Sequence, residues 1–148
     1  MTESEYWEKL KGSLGKLGKA IRLEDVPASM PDIVLLTKTV TIWLELKIIR
    51  SGKAAFRKFQ RAQGYEMSKA SPRRVFVLSW DEDKNVHCLH TYESIGLAKL
   101  EKSTSSKIYI NMHALPHNVD DNVLRLVYTA IQCAEANLRD ELIGDKNE

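Results

Sequence analysis

The chain has 148 residues, 43% of them hydrophobic and 28% charged, a globular composition with enough length for a core of its own. No apolar stretch approaches the ~20 residues of a membrane-spanning helix. The start MTESEYWEKL carries no apolar leader, and two cysteines cannot build a disulfide framework, so the chain reads as intracellular and cytoplasmic, off the membrane. The net charge of +2 hides an asymmetry: between Lys47 and Arg74 nine cations face the single acid Glu66, which leaves the remainder net acidic. Such a basic block is the electrostatic footprint of a polyanion-binding surface, nucleic acid being the usual polyanion.

In chain order, Thr2 and Glu5 have the form of a capping box, and Trp7, Leu10, Leu14 and Leu17 follow at 3-4-3 spacing. Together they predict a helix over 3–17. The GKLGKA run is not a phosphate-binding loop, because Ser13 and Ala20 stand where the motif needs Gly and Ser or Thr. A short strand over 20–26 and a PASMP turn lead to DIVLL and VTIWLELKI, two β-branched runs parted by TKT that read as a strand pair. Residues 53–69 return to a helical period, with Phe56, Phe59, Gln63 and Met67 on one side and a stripe of Lys53, Arg57 and Arg61 on another. Strands over 74–80 and 85–92 are joined by the acidic turn DEDKN. A short helix over 94–102, a strand over 107–111 and a last helix over about 120–141 complete the pattern. This is a mixed α/β domain with a central sheet. On the last helix Leu124, Val127, Ile131, Ala134 and Leu138 recur at 3-4-3-4 spacing. That is the seam of paired helices and a candidate dimer contact; the other reading is a core helix lying on its own sheet.

Glu45 and Lys47 are the sharpest oddity, two charges inside the otherwise apolar TIWLELKII. At i and i+2 of a strand they share a face, with Leu44, Leu46 and Ile48 on the other. Asp32, after Pro31, stands 13 residues before Glu45 at the start of the preceding strand. A tight strand pair brings the two carboxylates together beside an ammonium, a hard-oxygen site suited to Mg²⁺. A zinc reading built on His87, Cys88, His90, His113 and His117 is set aside: the first group is spaced too tightly and the second shows no helix.

In Pro31-Asp32 … Glu45-Leu46-Lys47 the sequence resembles the PD-(D/E)xK nuclease superfamily, with the closest look to its VRR-NUC and archaeal Holliday-junction-resolvase branches. The resemblance covers about residues 5–80 and places Glu8, Arg22, Asp32, Glu45, Lys47 and Gln60 in the motif positions, with Glu5 competing with Glu8 and Gln63 with Gln60. Ser29-Met30 replaces the glycine that commonly precedes the P-D turn. It implies a restriction-endonuclease-like fold, a central mixed sheet flanked by helices, in one nuclease domain spanning 1–148 with a core over about 5–92 and an extra C-terminal helix. It also implies a DNA endonuclease dependent on Mg²⁺, with Mn²⁺ able to substitute. Asp32, Glu45, the main-chain carbonyl of Leu46 and Glu8 would hold the metal, Lys47 would serve the attacking water, and Gln60 would hold Lys47 or a phosphate. Arg22, Lys53, Arg57, Lys58 and Arg61 are the expected DNA contacts. Branched DNA and specific sites of homing or restriction type both fit, and paired cuts call for a homo-oligomer, a dimer foremost. The alternative is a catalytically silent nucleic-acid-binding or protein-interaction module on the same fold.

Overall fold

The computed structural model describes residues 1–23, 30–57, 59–92, 105–107 and 119–147. Helix α1 runs Glu3–Gly15, opened by the capping box: the Thr2 hydroxyl accepts the Glu5 N–H and the Glu5 carboxylate accepts the Thr2 N–H, both at 3.1 Å. It buries Tyr6, Leu10 and Leu14. Strands β1 (Lys19–Arg22), β2 (Ile33–Leu36) and β3 (Thr41–Ile49) form an antiparallel meander. After β4 (Lys53–Ala55) and α2 (Gln60–Ala70), β5 (Val75–Asp81) returns parallel to β3, and β6 (Val86–Thr91) pairs antiparallel with β5. The five-stranded order is β1-β2-β3-β5-β6; β4 pairs separately with β7 (Ser105–Lys107). Helix α3 covers Val119–Asn147. Among the described residues no helix is long and apolar enough to cross a membrane.

β3 lies at the centre, and its alternation divides the core. Ile42, Leu44, Leu46 and Ile48 join Leu10, Leu14, Leu126 and Val127 on the side of α1 and α3. Ile49 packs with Phe56, Val75, Val77 and Tyr92 in a second cluster, against which Trp43, Tyr65 and Met67 lean. The alternation is what a strand covered on both faces requires.

Two sequence expectations are corrected. The helix expected over 53–69 starts only at Gln60. Ser51 and Gly52 both take positive φ in the tight turn after β3, Lys53–Ala55 goes into strand pairing, and Phe59 stands at φ 64° before the helix. Backbone of this kind interrupts a helix, so Lys53, Arg57 and Arg61 come from a strand, an extended link and a first helical turn and form no common stripe. The expected helical seam is also largely internal: Val127, Ile131 and Ala134 are buried against this chain's own sheet, as are Val123, Leu126 and Ala130. The wide apolar arc of α3 is a core face, with Tyr128, Leu142 and Ile143 among its exposed residues. The helix expected over 94–102, Lys58, and most of the strand expected over 107–111 lie outside the described residues.

Candidate active site

Register brings the two carboxylates together. β2 and β3 pair with Ile33 opposite Leu44, which sets Asp32, the residue before β2, at the end of the ladder on the side of Glu45, near enough for its charge to act on that carboxyl. The Asp32 backbone is held from the other side too, its carbonyl accepting the Leu23 N–H at 2.6 Å. Glu45 and Lys47 then emerge side by side on the α2 face of β3, each only 4% exposed.

Each carboxylate has one oxygen engaged and one open. Glu45 Oε1 accepts from Gln60 Nε2 at 2.7 Å and lies 3.5 Å from Lys47 Nζ, while its Oε2 is buried with no partner. Asp32 Oδ2 lies 3.7 Å from Arg22 Nε, while its Oδ1 is likewise buried and unpartnered. Lys47 Nζ donates to Gln60 Oε1 at 3.0 Å, lies 3.5 Å from Glu3 Oε1, and sits 4.8 Å from the centroid of the Phe56 ring. Gln60 Oε1 also accepts the Arg57 N–H at 3.0 Å, so the amide orients Glu45 and Lys47 at once.

The electrostatics follow from crowding acids out of water. Burial pushes the Glu45 carboxyl up to about 8, against the pull of the Lys47 ammonium and with Asp32 adding to the rise. Burial also raises Asp32, opposed mainly by Arg22. Two open oxygens without a hydrogen-bond partner, on acids that burial has desolvated, fit a hard divalent cation. Among the described residues no group of three or more His, Cys, Asp or Glu side chains gathers as an ion site. Side chains therefore offer two ligands, and main-chain oxygen and water would complete the set. Leu46 turns its side chain into the opposite core, so its carbonyl is the only polar acceptor it brings.

The remaining expected residues divide. Gln60, at the first turn of α2, enters the site. Gln63 lies nearly a turn further along and reaches Phe59 through its backbone N–H. Glu8 stays away: it is exposed and paired with Lys11, and five positions from Glu3 put it about 140° round the helix. Glu5 is used in the capping box. The helix-one acid that reaches Lys47 is Glu3, which the sequence reading missed. Glu3 stands three positions before Tyr6, beside the start of the buried stripe Tyr6, Leu10, Leu14, and that spacing was the available signal. Arg22 is drawn toward Asp32 and the Ser4 hydroxyl, while Lys53 and Arg57 are exposed.

On the same face Ser79 Oγ lies 3.4 Å from His90 Nε2, and burial lowers His90 to about 4, which keeps it neutral. His87 points to the opposite side, bonded to the Tyr6 hydroxyl at 2.8 Å. His113 and His117 lie outside the described residues.

No protein-family model and no curated protein matches this chain. A solved structure does: Hjc, a Holliday junction resolvase of the archaeal hyperthermophile Archaeoglobus fulgidus, superposes with a TM-score of 0.54 over 70% of this chain and 87% of that one, at 17% identity. At that identity the likeness speaks for the fold. With a mixed five-stranded sheet, helices on both faces and a long C-terminal helix, the chain has the restriction-endonuclease-like fold.

Proposed function

We propose that the protein is a metal-dependent DNA endonuclease whose active site is Asp32, Glu45, Lys47 and Gln60. The observation that carries this reading is the pair of buried, unpartnered carboxylate oxygens, Asp32 Oδ1 and Glu45 Oε2, set beside a buried ammonium. A plain structural ion pair would engage both acids and leave no open oxygen. Asp32, Glu45 and the Leu46 carbonyl would hold a divalent cation, Mg²⁺ or Mn²⁺. When bound, the cation supplies a lowered pKa for its water and neutralises charge gathering on the scissile phosphate.

The other roles belong to this chain's side chains. Gln60 ties down Glu45 Oε1 and so leaves Oε2 open. Lys47, held by Gln60 and Glu3, positions the attacking water and offers positive charge to the phosphorane-like transition state. Arg22 keeps Asp32 from turning its second oxygen into the site. Lys53, Arg57, Lys58 and Arg61 precede or open α2, next to the site in sequence, and supply phosphate contacts.

Branched DNA is the favoured substrate, on the precedent of the Hjc fold, and two symmetry-related sites in a homodimer would give matched cuts. The test is nicking of duplex, single-stranded, flap and four-way-junction DNA, with Mg²⁺ and with EDTA, by wild type and Asp32→Ala. Cleavage that needs the metal and Asp32 supports the reading. Cleavage by Asp32→Ala at the wild-type rate sinks it.

A further inference from the structure

Tyr92 directly follows β6 and is fully buried on the α2 side, packed among Phe56, Val75 and Val77. A buried phenol normally finds a hydrogen-bond partner, yet among the described residues its hydroxyl has none. Asp32 Oδ1 and Glu45 Oε2 are in the same condition. Burial foremost, with the charges of Glu45 and Asp32 adding to it, holds its proton on. It is therefore a donor, and its ring shares a cluster with Phe56, whose ring carries Lys47 Nζ at 4.8 Å, and with Val77, the register partner of Glu45.

Helix α2 makes room for this ring. Gly64 sits in mid-helix, where glycine weakens a helix, and a Cβ at that position would come within 2.1 Å of Tyr92 Cε1 and 2.2 Å of Cζ. Cζ is the carbon that carries the hydroxyl. A helix residue that preserves the placing of this carbon, at a cost to the helix, marks the placing as specific.

We propose that Tyr92 is a positioning residue of the nuclease site, its hydroxyl donating through a buried water to the open oxygens of Asp32 and Glu45 and holding both turned toward the cation. The inference rests on the metal-dependent nuclease reading. A water is the fitting intermediary because the three polar atoms make no direct bond, and a buried water takes two to four polar partners. Groups one step behind metal ligands commonly set affinity or activity by ten- to a hundredfold.

The experiment titrates Mn²⁺ into the full chain by calorimetry and measures nicking kinetics on the same preparations. Tyr92→Phe keeps the ring and removes only the hydroxyl. The expected result is Mn²⁺ affinity weaker by about tenfold and kcat lower by a similar factor, with KM for DNA and the unfolding midpoint held at wild-type values. Gly64→Ala, which displaces the ring, should weaken Mn²⁺ binding at least as much, and the double variant should add nothing further. Wild-type Mn²⁺ affinity in Tyr92→Phe overturns the proposal, as does a lowered unfolding midpoint without a binding change. The parent reading fails separately: if Asp32→Ala binds Mn²⁺ as wild type does, both fall, whereas a damaged Asp32→Ala beside a silent Tyr92→Phe removes Tyr92 alone.

Discussion

The two faces of the sheet are packed on different principles. Toward α1 and α3, β3 sends Ile42, Leu44, Leu46 and Ile48 into a cluster that includes Leu10, Leu14, Leu126 and Val127. Toward α2 it sends Trp43, Glu45, Lys47 and Ile49, and the helix meets them with Gln60, Gly64 and Ser68 at four-residue spacing as buried positions. Removing apolar area from water stabilises the first face, whereas burying acids and an ammonium works against stability on the second. Ser68 Oγ and Tyr92 Oη are unpartnered there along with the carboxylate oxygens. One face holds the molecule together, and the other keeps buried polar groups in a state a fully satisfied core would not permit. The division is testable because the two faces should fail in different ways.

The largest effect is expected on the polar face. Asp32→Asn, Glu45→Gln and Lys47→Met should each lower Mg²⁺-dependent nicking by about a thousandfold, while denaturant midpoints stay near wild type. Loss of folding in step with loss of activity in all three would erase the distinction between the faces.

The apolar face should show the reverse. Leu44→Ala and Leu14→Ala, both at fully buried positions, should cost about 2–5 kcal/mol in chemical denaturation, with nicking per folded molecule retained. Ile131→Glu belongs to this group: the side chain lies in the core, so a charge there should unfold the chain rather than separate a dimer. Sedimentation of a folded, dissociated Ile131→Glu variant would return that residue to an interface.

pH sharpens the contrast next. The Glu45 carboxyl, ordinarily near 4.5, is raised to about 8 in the fold, so between those values the folded chain holds a proton that the unfolded chain has released. Its stabilising contribution is complete below about pH 4.5 and is lost as pH climbs through about 8. Denaturation of the metal-free protein should show stability falling across that interval, and Glu45→Gln should flatten the slope. Because a cation must displace the same proton, Mn²⁺ affinity should rise over the same range. A flat stability profile in wild type would mean that Glu45 is better hydrated than its 4% exposure indicates.

The smallest effect concerns the basic segment beside the polar face. In Lys53→Ala, Arg57→Ala and Arg61→Ala, each lost phosphate contact should lower the slope of log K against log salt by about 0.9 on duplex DNA, with little change in substrate preference. Binding titrations across a salt series measure this, and an unchanged slope in the triple variant would move the DNA path elsewhere.

Much of the site was legible because its signals are local. Glu45 and Lys47 stood out in an apolar run, and a period of two placed them on one face without knowledge of the sheet. The strand pair followed from β-branched runs parted by TKT, and the short interval from Asp32 to Glu45 was enough to suggest their meeting. The helix expected over 53–69 shows where such reasoning misleads. The spacing of Lys53, Arg57 and Arg61 is helical, but three positions four residues apart carry no information about the backbone between them, and the positive φ at Ser51, Gly52 and Phe59 follows from strand pairing and the crossover to α2.

By itself the sequence determined the alternation of β3, the candidate acids and ammonium, the capped first helix and the basic block, all set by neighbours a few residues apart. Only the tertiary structure decided which distant group completes the site. Glu3, Glu5 and Glu8 are all carboxylates on one helix, and the docking of α1 on the sheet puts Glu3 near Lys47 while Glu8 faces solvent. Gln60 and Gln63 differ by less than a turn, and the place where α2 begins hands Glu45 to Gln60. The wide apolar arc of α3 served a sheet or a partner equally well until its packing made it core. Side-chain chemistry is written in the chain, but distance between elements comes from packing, which no local pattern encodes.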